Sequence, residues 1–339
     1  MIYSELFFKE LEKENSDEFV QDKTKKYNDN ILSFYKTIGE TTTFLGKEDI
    51  PISCRFFRHS NPVAKVLLAT GYNESYLKYA EFIQNLYELN ISVYCYDHRG
   101  QGFSGRFLNQ NKRGYIDYFP YLVDDLCTVF NMVTNDQDNK IPIFVFGHSL
   151  GGAVLANALC EKKINPAAAI LASPMLELML TPWHFLESSI YAIAKMASFF
   201  GSKQSYVFGQ KDCIPFLPFD TNDVTHSKYR FFNWRRHVFE IPEMQLGGPT
   251  FGWLSQAISA SRKIRNSGAN NVTPTIILQG EEDTVVRNSA QDTFIKSCPV
   301  AQKVVCGHAR HEILMEIDFI RNKALDVIKN IILKQQPPA

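Results

Sequence analysis

Ile143-Phe144-Val145-Phe146-Gly147-His148-Ser149-Leu150-Gly151-Gly152 is the stretch on which the fold reading turns. Its first four residues are apolar and β-prone without polar alternation, the pattern of a strand covered on both faces. Residues 150–162 read as a helix. Between the two elements stands Gly-x-Ser-x-Gly, which in strand–turn–helix context is a nucleophile elbow: a strained turn that exposes the serine hydroxyl. Glycines at 147 and 151 leave room for strand and helix to approach closely. Leu150 opens the helix, so its backbone N–H is free to donate to an oxyanion.

Outward from the elbow, short apolar runs alternate with helical patterns. The strands are expected at Ser53–Phe57, Lys65–Ala69, Ser92–Tyr96, Ile143–Phe146, Ala168–Ala172, Thr275–Leu278 and Lys303–Cys306, with helices at 75–89, 118–133, 251–265, 288–296 and 313–334. Strands alternating with helices predict βαβ units, hence an α/β protein with a mostly parallel central sheet flanked by helices. With the elbow, this is the pattern of the α/β-hydrolase fold. From Pro174 to Pro249 the alternation stops. Helical pieces broken by prolines replace it, and fourteen of those seventy-six residues are aromatic, about 18% against 13% for the chain. The expected organisation is an N-terminal helical and linker segment at 1–44, a core at 45–173 and 250–339, and a mainly helical cap inserted at 174–249.

A serine needs a base, and the base needs a carboxylate to fix its tautomer. Both should follow later strands of the same sheet. After Thr275–Leu278 comes Gln279-Gly280-Glu281-Glu282-Asp283, where Asp283 is the expected acid and Glu282 its rival. After the last strand comes Gly307-His308-Ala309-Arg310-His311, where His311 at the loop-to-helix junction is the expected base and His308 its rival. The backbone N–H of Tyr72, in Thr70-Gly71-Tyr72-Asn73-Glu74-Ser75, would give a second oxyanion donor beside Leu150. His98 and His148 read as structural neighbours of their motifs.

Other chemistries fit less well. Gly100-Gln101-Gly102-Phe103-Ser104-Gly105 has the spacing of a dinucleotide fingerprint but is followed by polar loop where that motif requires a helix. Cys298, Cys306, His308 and His311 match no usual zinc spacing. No metal and no cofactor are expected. Thirty-six basic residues balance thirty-six acidic ones, against a nucleic-acid partner. Seven scattered cysteines suit reduced thiols and a cytoplasmic setting. Six acidic residues in the first twenty are unlike a signal peptide, and no apolar run reaches a membrane span. The cap stretch Lys228-Tyr229-Arg230-Phe231-Phe232-Asn233-Trp234-Arg235-Arg236-His237 interleaves cations and aromatics, as a solvated helix face would, or a site for anionic head groups or a membrane surface.

On Gly71–Tyr79, Asp97–Arg106, Gly147–Gly152, Gly247-Gly248-Pro249-Thr250 and Ala309–Leu314, the chain resembles the bacterial lysophospholipases in the monoacylglycerol-lipase-like branch of the α/β-hydrolases. The likeness spans roughly 45–335. It implies a Ser149–Asp283–His311 triad, oxyanion donors at Tyr72 and Leu150, and release of a fatty acid from a lysophospholipid without a cofactor. Thr70 departs from the family, which often carries His there. Monoacylglycerol lipase or carboxylesterase activity is the alternative; an aminopeptidase of the superfamily or a non-catalytic binding protein on the same fold are further ones. Proline iminopeptidases carry Trp where Leu150 stands. In the cap, Trp183, Phe185, Phe199, Phe200, Phe231 and Phe232 are expected to line an acyl pocket, and Lys228, Arg230, Arg235 and Arg236 to meet a head-group phosphate. The partner would be a small lipid, with peripheral contact to the inner face of the membrane.

Overall fold

The computed structural model describes residues 2–107, 112–180 and 187–334. Three helices, α1 (Ile2–Glu14), α2 (Asp17–Lys26) and α3 (Leu32–Ile38), precede the sheet. The sheet has eight strands: β1 (Glu40–Leu45), β2 (Pro51–Phe57), β3 (Ala64–Ala69), β4 (Ile91–Tyr96), β5 (Ile143–His148), β6 (Ala168–Ala172), β7 (Thr275–Gly280) and β8 (Ala301–Cys306). Their order is β1-β2-β4-β3-β5-β6-β7-β8. β1 pairs with β2 and β2 with β4 antiparallel; all later pairs are parallel.

All seven expected strands are present, and β1 is an eighth. It lies almost wholly within the 1–44 segment read as helix and linker, which is corrected here. Its residues are half-exposed or exposed, so no apolar alternation marks it; only β-branched Thr41-Thr42-Thr43 favours extended backbone.

The interior strands are largely apolar because each feeds two cores. On β3, Leu67 and Ala69 join the cluster under α5 (Phe119–Asn135), α6 (Leu150–Cys160) and α9 (Phe251–Arg265). Val66 and Leu68 join the opposite cluster, under α4 (Ala80–Tyr87) and α11 (Asp318–Lys334). α10 (Asn288–Ser297) covers the first face through Ala290 and Phe294. The period-two alternation of side chains thus divides each apolar run between two buried faces.

Among the described residues of 174–249, none joins the sheet. They include α7 (Glu187–Ala197) and α8 (Lys228–Glu240), with isolated bridges Leu178–Val286 and Tyr206–Thr250 at the margins. The N-terminal helices run over this region and the end of the core. The Glu14 carboxylate accepts from the N–H groups of Asp318 (2.7 Å) and Phe319 (3.2 Å), opening α11. The Asn15 side chain donates to His226 O (2.9 Å), and the Phe7 ring stacks on His308 at 4.3 Å.

Candidate active site

Ser149 sits between β5 and α6 with φ 50° and ψ −110°, a conformation an L-residue holds only when its surroundings impose it. Its N–H donates to Ala172 O (3.0 Å), and its carbonyl accepts from Met175 (3.0 Å) and Ala153 (3.0 Å). A Cβ at Gly151 would lie 2.3 Å from Ala69 O, so the helix reaches the β3 end only as glycine. Leu150 is the first residue of α6, where N–H groups have no intrahelical acceptor.

Asp283 and His311 follow the C-terminal ends of β7 and β8, at the same sheet edge as Ser149. Asp283 Oδ2 lies 2.8 Å from His311 Nδ1. A carboxylate only accepts, so Nδ1 carries the proton and Nε2 is left with its lone pair. Asp283 Oδ1 accepts from the N–H groups of Val285 (2.8 Å) and Val286 (3.0 Å). Burial alone would raise the Asp283 pKa. The His311 hydrogen bond and charge, with those two N–H groups, outweigh it and hold the carboxyl below its ordinary value. The rival residues form a separate pair: Glu282 Oε1 meets His308 Nδ1 at 3.0 Å, with the Glu282 side chain 44% exposed.

Tyr72 lies in the turn after β3. Its hydroxyl donates to Gly247 O (2.8 Å), and its ring packs on Trp253 at 4.5 Å. Gly248 O accepts from Gly114 (3.0 Å), so Gly247-Gly248-Pro249-Thr250 joins the Tyr72 turn to the segment after residue 111 and to the return of the chain from α8.

A buried ionic cluster, which the sequence reading missed, lies beneath this region. Glu74 accepts from the Gly71 N–H, Lys78 Nζ (2.8 Å) and the Tyr79 hydroxyl (2.7 Å), and lies 3.2 Å from His148 Nδ1. Lys78 also pairs with Glu312, next to His311. His148 Nε2 meets the His311 carbonyl at 3.2 Å. His148 therefore faces an acceptor at each nitrogen. Burial lowers its pKa, but the Glu74 carboxylate raises it further and prevails. In turn Lys78 and His148 hold Glu74 well below the carboxylate range against its burial. The i,i+4 spacing of Glu74 and Lys78 was the one sequence signal for the cluster.

A pH dependence follows. A pKa raised in the folded state makes the native protein bind more protons than the unfolded chain as pH climbs past the ordinary histidine value near 6.5. The stabilisation is present below that value and is lost as pH rises through the folded one. Tm of the wild type should therefore exceed that of His148→Gln most at about pH 6, the gap narrowing towards about pH 9. Melting curves across that range check this; a gap that widens with pH contradicts it.

The cap residues disperse. Trp183 and Phe185 lie outside the described residues. Phe199 and Phe200 are 84% and 76% exposed, so the expectation that they line a pocket is corrected. Phe231 is buried against Phe219 at 5.5 Å, while Phe232 is partly exposed. Arg230 is buried on Glu81 (2.8 Å) and Asp318 (2.6 Å), Lys228 meets Asp17 (3.1 Å), and Arg236 meets Asn28 (2.6 Å). These three cations hold α8 to the core and to the N-terminal helices, which corrects their reading as phosphate ligands. Arg235 is held by the carbonyls of Ile214 and Pro215.

The family described as serine aminopeptidase, S33, matches residues 60–318. Lysophospholipase L2 of Escherichia coli is 30% identical over 316 residues, 91% of this chain and 92% of that protein. Monoglyceride lipase of Rattus norvegicus is 32% identical over 124 residues, 36% of this chain and 39% of that protein. A soluble variant of monoglyceride lipase from Saccharomyces cerevisiae, in complex with a substrate analog, shares the fold with a TM-score of 0.72 at 21% identity, covering 89% of this chain and 97% of that one. The elbow, the sheet order and these relatives converge: the chain belongs to the serine aminopeptidase S33 family of α/β-hydrolases, within its bacterial lysophospholipase branch.

Proposed function

We propose that the chain hydrolyses the acyl ester of a lysophospholipid through an acyl-enzyme on Ser149. The observation that carries this reading is the 2.8 Å Asp283–His311 bond, which leaves His311 Nε2 as a base at the sheet edge where the elbow ends. In the reaction Nε2 takes the Ser149 proton as the hydroxyl oxygen attacks the ester carbonyl. The N–H groups of Tyr72 and Leu150 bind the oxyanion. The protonated His311 then gives its proton to the leaving glycerophospho-alcohol, and the tetrahedral centre collapses to the acyl-enzyme. Water attacks next, losing a proton to Nε2, and Ser149 recovers its own as the fatty acid leaves. Asp283 stays ionised throughout and stabilises the imidazolium. Labelling of Ser149 by a fluorophosphonate, with release of fatty acid from a lysophospholipid, tests the reading; hydrolysis of short esters alone would refute the substrate.

Residues 174–249 act as a cap over this site, and we assign Arg235, Phe231 and Phe232 to its substrate side. Ile193, Met196, Phe199, Phe200 and Phe208 are all at least half exposed, with Lys195 among them. Exposed apolar side chains beside an exposed lysine suit the interface of an anionic bilayer, where a lysophospholipid resides. No helix among the described residues is long and apolar enough to cross a membrane, and all seven cysteines are free thiols. We place the protein in the cytoplasm, in peripheral contact with the inner membrane face.

Monoglyceride hydrolysis is the second reading, favoured by the engagement of Lys228, Arg230 and Arg236 elsewhere. Arg235→Ala decides between them. On the first reading it lowers kcat/KM on a lysophospholipid by about tenfold, the value of one charge-assisted contact, and leaves the monoglyceride of equal chain length within about twofold. Equal losses in the paired assay would move monoglyceride hydrolysis ahead.

A further inference from the structure

Gly100-Gln101-Gly102 has the spacing of a phosphate cradle but is occupied with another task. It follows β4, in the loop from Asp97 to Arg106, and lies against the Thr70–Ser75 turn. Gln101 is buried. Its Nε2 donates to Gly71 O (2.6 Å) and to Glu74 O (2.9 Å), and its Oε1 accepts from the Asn73 N–H (3.3 Å). One side-chain amide, without charge, thus grips the turn on both sides of Tyr72. Asn73 sits there at φ 58°, a conformation that requires such support.

We propose that Gln101 is a positioning residue that aims the Tyr72 N–H at the oxyanion. The argument is geometric. Gly71 C=O and Tyr72 N–H belong to one peptide unit, which is planar and trans, so the two groups point in opposite directions. Drawing Gly71 O towards Gln101 turns the Tyr72 N–H the other way, and holds it there before substrate arrives. The rest of the loop braces the grip. His98, kept neutral by burial with its pKa lowered to about 4, donates from Nε2 to Thr70 O (3.0 Å). Asp97 accepts from the Ser75 hydroxyl (2.8 Å) and the N–H groups of Tyr76 (2.7 Å) and Phe103 (2.8 Å). Gly102 has φ 55°, and a Cβ there would lie 2.0 Å from Asp97 Oδ2. The inference rests on the reading of Tyr72 as an oxyanion donor.

The test separates the two claims. Gln101→Met keeps the length of the side chain and removes both donors. Because the oxyanion exists only in and around the transition state, kcat should fall about 10- to 100-fold with KM changed less than about threefold. Affinity for a trifluoromethyl ketone of the same acyl chain should fall by the factor lost in kcat. Gln101→Glu supplies a second readout should Gln101→Met fold poorly. Its ionised carboxylate repels the two carbonyls, whereas the protonated acid donates to one of them, so kcat relative to wild type should rise from about pH 8 to about pH 5. In a third protein Tyr72 is replaced by its α-hydroxy acid, which deletes the N–H and leaves the Gly71 carbonyl in place as a weaker, ester acceptor. If that leaves kcat unchanged, the donor assignment is wrong. If it lowers kcat while Gln101→Met does not, the donor stands and the proposal falls. If the losses multiply in the combined protein rather than saturate, Gln101 acts elsewhere, and the proposal falls too.

Discussion

Ser149→Ala is expected to lower kcat for ester hydrolysis by about a millionfold and to abolish fluorophosphonate labelling, with Tm and circular dichroism close to wild type. The size follows from how such groups act together: without a nucleophile, the base and oxyanion donors have nothing to activate. Retention of the fold follows from the contacts of residue 149, which run through its backbone to Ala172, Met175 and Ala153. Alanine keeps all three. Activity within tenfold of wild type would remove Ser149 from the mechanism.

Asp283→Asn is expected to cost about 10⁴ in kcat. The amide oxygen can still accept from Val285 and Val286, which turns the NH₂ group towards His311 Nδ1. That nitrogen must then accept, the proton moves to Nε2, and the base loses the lone pair it needs. Glu282→Gln and His308→Ala, which alter the neighbouring exposed pair, should each stay within about threefold. Steady-state kinetics on the three proteins decide the matter, and a crippled Glu282→Gln would move the acid by one residue. Since Asp283 is held below the ordinary carboxylate range, its contribution to stability is present above that range and is lost only as pH falls through the lowered value.

The parts legible in the sequence were those written in local pattern. Interior strands announced themselves as apolar runs, and the elbow as a motif between a strand and a helix. The four candidates Glu282, Asp283, His308 and His311 could be located by their place after the last two strands, and His311 preferred for its loop-to-helix junction; the structure pairs Asp283 with His311 and Glu282 with His308. What stayed hidden depends on contacts between distant segments. β1 has no buried face to impose alternation. Lys78 is a residue type expected in solvent, yet its side chain is 2% exposed between Glu74 and Glu312. The cations of α8 looked available for a phosphate because nothing local reveals that α2 brings Asp17 to them, or that Glu81 and Asp318 enclose Arg230. Gln101 was read only as a spacer in a decoy motif, since its partners lie thirty residues away on another loop.

The antiparallel β1–β2 pair bears on how this protein is handled. Residues 60–318, the span the family shares, begin after both strands and end at the first residue of α11. Cut to that span, the chain would lose the neighbour of β4, leaving a row of unpaired N–H and C=O groups along a buried, mostly apolar strand. It would also uncover the bed of Ile320, Ala324 and Ile328 on the adjoining face. An open edge beside a bare apolar surface is a template for pairing with other chains. The trimmed protein should accumulate as aggregate even with every reacting group retained, because the span matched by the family is shorter than the chain that closes this sheet edge.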